Sequence, residues 1–147
     1  MSTLIRPEIS KGNPYYISKH RYYELKHFCL QYKDWKRIYN DICENTPGGI
    51  FEKTNQLPVK INTRLYEKRQ KYLNLISIIE DSALLADKEL ANYILVGVTE
   101  DRSFDWLLTI MRIPCCKDVY YDRYRRFFYI LSHKRDAWKT TTIMQRK

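Results

Sequence analysis

Seven side chains between Lys117 and Arg135 are of types that hold a polyanion: Lys117, Tyr121, Arg123, Arg125, Arg126, Lys134 and Arg135. Long cationic donors grip phosphate oxygens, and a guanidinium does so through two parallel hydrogen bonds. Tyrosine adds a hydroxyl on an apolar body. Helical spacing makes a two-sided rod of this stretch. Cys116, Tyr120, Tyr124 (or Arg123), Phe127 and Leu131 recur every three or four residues, with Val119 and Ile130 beside them, as an apolar stripe. Lys117, Asp118, Tyr121, Asp122, Arg125 and Arg126 are left outward. On such a rod Lys117 and Tyr121 stand at the end that would enter a major groove, where base edges are read. Arg123, Arg125, Arg126, Lys134 and Arg135 suit phosphates, which set affinity and its salt dependence. Asp118 and Asp122 fit a helix cap, partners for neighbouring arginines, or acceptors from cytosine N4.

Other chemistries are poorly supplied. Cys115, Cys116 and His133 are three ligands without zinc-knuckle spacing. His20 and His27 lie near Cys29, but nothing marks an oxyanion hole, and no Walker, GxGxxG or HExxH pattern occurs. The expectation is a protein that is not an enzyme and needs no metal or cofactor. The four cysteines, Cys29, Cys43, Cys115 and Cys116, lack paired-ligand spacing, and no charged-then-apolar leader or apolar run of about 18 residues is present. That pattern reads as cytoplasmic, with reduced thiols and no membrane partner.

The elements that would position the rod can be read in chain order. Residues 1–16 carry Pro7, Gly12 and Pro14 without periodicity, as an arm. From residue 17 to 43, Tyr22, Leu25, Phe28/Cys29, Tyr32, Trp35, Tyr39 and Ile42 describe one face of a long amphipathic helix, with Ser18 as its N-cap. Its other face carries Lys19, Arg21, Lys26, Lys33, Lys36 and Arg37, read as a solvated face. Residues 44–63 break the pattern with Thr46-Pro-Gly-Gly49 and Pro58, a flexible connection in which Val59–Ile61 leans towards strand. A helical domain is expected over 64–139. Its second long helix starts near Asn62 or Thr63, and a shorter one spans about Lys88 to Thr99. A helix capped by Ser103 follows, then a turn at Arg112–Cys116 enforced by Pro114, then the rod from Lys117 to about Trp138. The helix before the turn offers Leu107, Leu108 and Met111 to the stripe. Residues 140–147 read as a loose tail.

Four Gly and five Pro in 147 residues favour helices, and 44% apolar content is ordinary for a folded chain. The net charge is +9, unevenly spread: residues 73–105 carry net −5, whereas 1–71 and 106–147 carry +7 each. Such a balance favours polyanionic partners.

Ser103–Phe128 resembles the helix-turn-helix of sigma-factor region 4 and of the RinA/ArpU-like late-transcription regulators of phages. Ser103, Phe104, Leu107, Ile110, Met111 and Ile113 fall in register, and Tyr120-Tyr-Asp-Arg-Tyr-Arg-Arg126 stands where the Arg-rich helix belongs. Residues 13–25 and 113–123 look like a protein family of Firmicutes phages and prophages associated with the same regulator class. Leu108 occupies a place usually held by a small residue, and Arg112 one where Gly often supplies a positive φ. The resemblance implies an all-α fold: a long N-terminal helix plus a compact helical bundle ending in a sigma region 4-like helix-turn-helix. It implies a phage-encoded regulator of late genes in the bacterial cytoplasm that binds double-stranded DNA, with host RNA polymerase or another host nucleoprotein as a further partner. Two alternatives suit the same composition. One is an accessory protein that inhibits a host defence by binding a host protein or nucleoprotein, in the manner of an anti-CRISPR. The other is a small-terminase-like packaging recogniser, which would form a homo-oligomer.

Overall fold

The computed structural model describes residues 12–45 and 59–145. Among them lie six α-helices and no strand: α1 (Lys19–Leu30), α2 (Tyr32–Asn45), α3 (Val59–Ala86), α4 (Ala91–Thr99), α5 (Phe104–Met111) and α6 (Lys117–Gln145). No helix among these residues is long and apolar enough to cross a membrane. The expected arm falls outside the described residues at 1–11, the expected connection at 46–58, and the expected tail at 146–147.

α3 and α6 are the longest helices and pack along each other as the spine of the bundle. They run antiparallel. Asp87, just past the end of α3, meets Arg123 near the start of α6, while Asn74 and Leu75 share a cleft with Trp138 towards its end. α2 lies along another side of α3, α1 crosses α4 and α6, and α5 packs on α4. The shared core is mostly aliphatic and aromatic, with Tyr22, Leu25, Ile79, Ile94, Leu107, Tyr120, Phe127, Phe128 and Leu131 all but sealed from solvent.

One N-terminal helix over 17–43 was expected, and two are present. Ser18 caps α1 as anticipated, its Oγ accepting the Arg21 N–H at 3.3 Å. At Gln31 the α-pattern tightens, the Gln31 N–H donating to the Phe28 carbonyl at 3.3 Å, and α2 begins at Tyr32. The break lets one continuous apolar stripe serve two surfaces: α1 presents Tyr22, Leu25 and Phe28 to α4 and α6, and α2 turns to α3. Phe28 and Trp35 bridge the break edge to face at 4.9 Å.

Three further boundaries differ from expectation. Val59 opens α3, so the β-leaning Val59–Ile61 is helical, its preference overridden by the helix it begins. The backbone helix of α6 continues to Gln145, through six residues expected to be loose. The end of the arm is ordered: Asn13 closes a turn by accepting the Tyr15 N–H on its side chain at 2.8 Å. Tyr15 then packs on Tyr129 of α6, ring centres 5.8 Å apart.

The acidic middle of the chain faces its basic flanks. Asp101 pairs with Lys26 at 3.4 Å, Glu100 with Lys33 at 2.9 Å, Glu80 with Lys36 at 3.5 Å and Asp87 with Arg123 at 3.0 Å. Arg21 is held by Ser132, Glu24 and Asp136, and Arg37 by Asp34. Of the six cations read as a solvated face of the N-terminal helix, Arg21, Lys26, Lys33 and Lys36 therefore pair with other parts of the fold, Lys33 and Lys36 while still exposed, and Arg37 pairs within α2. Exposed pairs of this kind contribute about 0–1 kcal/mol each.

Candidate nucleic-acid interface

The helix pair α5–α6 is assembled by local rules. Ser103 takes an extended backbone and its Oγ accepts the Trp106 N–H at 3.2 Å, which starts α5. At the other end Arg112 enters the left-handed region at φ 55°, ψ 50°. The Arg112 and Ile113 N–H groups then both turn back to the Leu107 carbonyl, the latter at 3.2 Å, closing the helix on a left-handed residue. Ile113 follows into the core, Pro114 forbids continuation, and α6 opens with the Tyr120 N–H donating to the Cys116 carbonyl at 3.1 Å.

The inner face of the pair is Phe104, Leu107, Ile113, Tyr120 and Phe127, all buried, with the Phe104 and Tyr120 rings 5.8 Å apart. Tyr124 belongs to the same scaffold: its hydroxyl and that of Tyr22 lie 2.6 Å apart. Burial, with Tyr22 beside it, raises the Tyr124 phenol well above its ordinary value. Leu108 departs from the inward role expected of it and is 48% exposed, so a large residue there obstructs nothing. Close approach to α6 is made instead at Gly97 of α4, against the Tyr120 hydroxyl. Cys116 and Val119, expected on the inner stripe, are also exposed, because the first turn of α6 projects beyond the core. Phe128, which the stripe omitted, is fully buried against Tyr22 and Tyr124.

The seven sequence-predicted contact residues fall into three groups. Lys117, Tyr121, Arg125 and Arg126 lie on the first three turns of α6. Lys117 is exposed, and Tyr121 is half-buried, its ring against Tyr120 at 5.0 Å and Tyr124 at 5.7 Å. Burial raises the Tyr121 phenol, the Phe104 main chain opposes and Asp105 reinforces, so its hydroxyl stays a donor. Arg125 and Arg126 are half-buried and, among the described residues, have no ion-pair partner; the Arg125 Nε is buried with no acceptor.

Arg123 and Arg135 form the second group, each held internally. Arg123 donates to Asp87 and to Asp122, and the Asp87 bond chiefly raises its pKa. Arg135 lies over the Phe28 ring at 4.0 Å, 3.6 Å from Glu24, with its side chain 13% exposed. The Arg123 side chain is 35% exposed, so its guanidinium is shared between its two carboxylates and the surface. Lys134, alone in the third group, lines a separate cleft near the far end of α6.

Asp87 is the organising residue that sequence reading missed. One carboxylate oxygen accepts from the Glu89 and Leu90 N–H groups at 2.9 and 3.1 Å, closing the turn that leads into α4, and the other accepts from Arg123. Burial pushes this carboxyl up, but the Leu90 N–H, the Arg123 guanidinium and the Glu89 N–H outweigh it and hold its pKa below the usual value. An Asp three residues before an apolar run is a capping signal; its second partner, 36 residues away, leaves none.

Cys29 is fully buried, and burial pushes its thiol far up, the wrong direction for a nucleophile. His133 meets Tyr129 edge to face, ring centres 4.5 Å apart. Among the described residues no group of three or more His, Cys, Asp or Glu is arranged to hold a metal ion. Comparison with family models, curated proteins and solved structures finds nothing that matches this chain.

Proposed function

We propose that this chain is a phage- or prophage-encoded protein that binds double-stranded DNA through α5, the turn and the start of α6, acting as a helix-turn-helix in late-gene regulation. One observation carries the reading. On a helix whose arginines 123 and 135 are tied to carboxylates, Arg125 and Arg126 have no carboxylate partner among the described residues, beside an exposed first turn of Lys117, Asp118 and Val119. A guanidinium with no internal partner is suited to a phosphate or a base edge. The dry inner face supports the same reading, because a helix offered to a groove must be anchored from behind. Lys117 and Tyr121 then contact base edges, Arg125 and Arg126 contact phosphates or bases, and Tyr120, Tyr124 and Phe127 are scaffold.

Selection of bound duplexes from a random-sequence library at physiological salt tests this. Enrichment of a motif that the Arg125→Ala, Arg126→Ala double variant fails to enrich supports it; retention of no duplex above background ends it. A second reading has its own support: Leu108, Ile110 and Val119 are 48, 61 and 41% exposed on the same helix pair. Large exposed apolar side chains on one helix pair favour a protein partner. In that reading the chain binds a host polymerase, nucleoprotein or defence protein, and capture from host lysate would survive nuclease treatment. Light scattering that reports a ring-sized oligomer would favour the packaging role.

A further inference from the structure

A cleft of about 450 Å³ opens between α3 and the far part of α6. Its floor is Phe28, 7% exposed, and its apolar walls include Leu75, Ile78 and Trp138. Its polar groups are Asn74, Ser77 and Asp81 on α3, and Lys134 on α6. Ligand sites have this make-up: a volume of roughly 300–1,000 Å³, mostly apolar, with a few converging polar groups.

The disposition of those groups narrows the ligand. Lys134 and Trp138 are four residues apart on one helix, so a cation and an indole lie side by side on one wall. Trp138 is 38% exposed. Across the cleft Asp81 follows Asn74 by two turns of α3. Asp81 and Lys134 have no ion-pair partner among the described residues and do not pair with each other, although both line the same cleft. A ligand that joins them needs a flat ring to stack, an anionic group for the ammonium, and N–H donors for the carboxylate.

We propose that this cleft binds a nucleotide, with the base on Trp138, the phosphate on Lys134 and the donor edge of the base on Asp81. Guanine fits best, because its N1–H and N2 amino group donate side by side to one carboxylate. The ligand is either a free mononucleotide or one base of a single strand. The site lies roughly 25 Å along α6 from Lys117 at 1.5 Å per residue, so it stands whether or not the start of α6 binds duplex DNA.

Calorimetric titration of the full chain tests the assignment, using the four nucleoside 5′-monophosphates, guanosine and a G-rich single-stranded oligonucleotide. Guanosine monophosphate should bind best, with guanosine about tenfold weaker. Trp138→Ala should weaken the nucleotide by about tenfold, the scale of a lost base–aromatic stack. Lys134→Ala should erase the difference between nucleotide and nucleoside, and Asp81→Asn the preference for guanine. Helical content by circular dichroism should be unchanged in each variant, and Trp138→Phe retains a stacking ring if Trp138→Ala does not fold. Binding of the strand alone, with the same response to substitution, identifies a nucleic-acid strand as the source. No saturable binding of mononucleotide or strand, or binding indifferent to Trp138 and Lys134, overturns the proposal.

Discussion

Gly97 and Tyr120 touch so closely that a Cβ on Gly97 would collide with the Tyr120 hydroxyl oxygen. That hydroxyl is buried without a hydrogen-bond partner among the described residues. The two facts predict opposite signs for two substitutions. Gly97→Ala should destabilise by about 1–3 kcal/mol through overpacking, although alanine in a helix interior ordinarily gains up to about 1 kcal/mol over glycine. Tyr120→Phe removes a polar atom with nothing to bond and should be neutral or slightly stabilising. The double variant should recover most of the loss, because the clash is with the oxygen while the next ring atom is 3.5 Å away. Denaturant melts of the four proteins form a thermodynamic cycle, and simple additivity would show that the approach is looser than described.

Asp87 ties the end of α3 to both α4 and α6, and its depressed pKa makes that tie sensitive to acid. A carboxylate held below its unfolded value contributes stability that is complete above the unfolded pKa and is lost as pH falls through the folded one. The contribution should therefore be full at neutral pH and disappear below about pH 4. Asp87→Asn keeps a capping oxygen but not the charge facing Arg123. Its melting temperature should fall below that of the parent protein at pH 7, and the two should converge as pH is lowered towards 3. A constant gap across that range would remove the charge from the explanation.

Much of the fold was legible because helices announce themselves by period and cap. Ser18 and Ser103 cap where spacing placed them, and Tyr120, Phe127 and Leu131 form the inner stripe that their spacing describes. What stayed hidden is tertiary. The break at Gln31 leaves no mark, because Tyr22, Leu25, Phe28, Tyr32 and Trp35 keep helical spacing across it. Phe128 sits one residue off the stripe and is buried because α1 covers a second side of α6. The candidate interface was legible as a set of cations but not as a partition of them. Whether an arginine is free depends on Asp87 and Glu24, 36 and 111 positions away in the chain.

Arg112 holds φ 55°, a left-handed backbone that costs a side-chain-bearing residue about 1–2 kcal/mol. It is exposed, and its contribution to the end of α5 is made by the main chain, its N–H donating to the Leu107 carbonyl. Arg112→Gly should therefore stabilise the fold, by up to about 1 kcal/mol once the greater freedom of glycine in the unfolded chain is subtracted. Thermal melts check the sign. A destabilised variant would mean that the side chain makes a contact worth more than the strain. If Arg112 also meets the polyanion, affinity should fall while stability rises, which separates the two roles in one protein.

The four arginines of α6 give the sharpest test of the interface, because they share a charge and differ only in partners. Among the described residues Arg125 and Arg126 have no carboxylate partner, whereas Arg123 and Arg135 are held by Asp87 and Glu24. Replacing Arg125 and Arg126 by Ala should leave the melting temperature nearly unchanged. The slope of log affinity against log salt should flatten by up to about 1.8, two phosphate contacts at about 0.9 each. Replacing Arg123 by Ala should do the reverse, lowering stability by about 1–3 kcal/mol as it strands part of Asp87, with the salt slope intact. Arg135→Ala should behave like Arg123→Ala, since it uncovers the Phe28 ring and leaves Glu24 paired with Arg21. Equal salt-slope changes from all four substitutions would mean that the internal pairs open on binding. A slope unmoved by the Arg125 and Arg126 pair would remove this end of α6 from the interface.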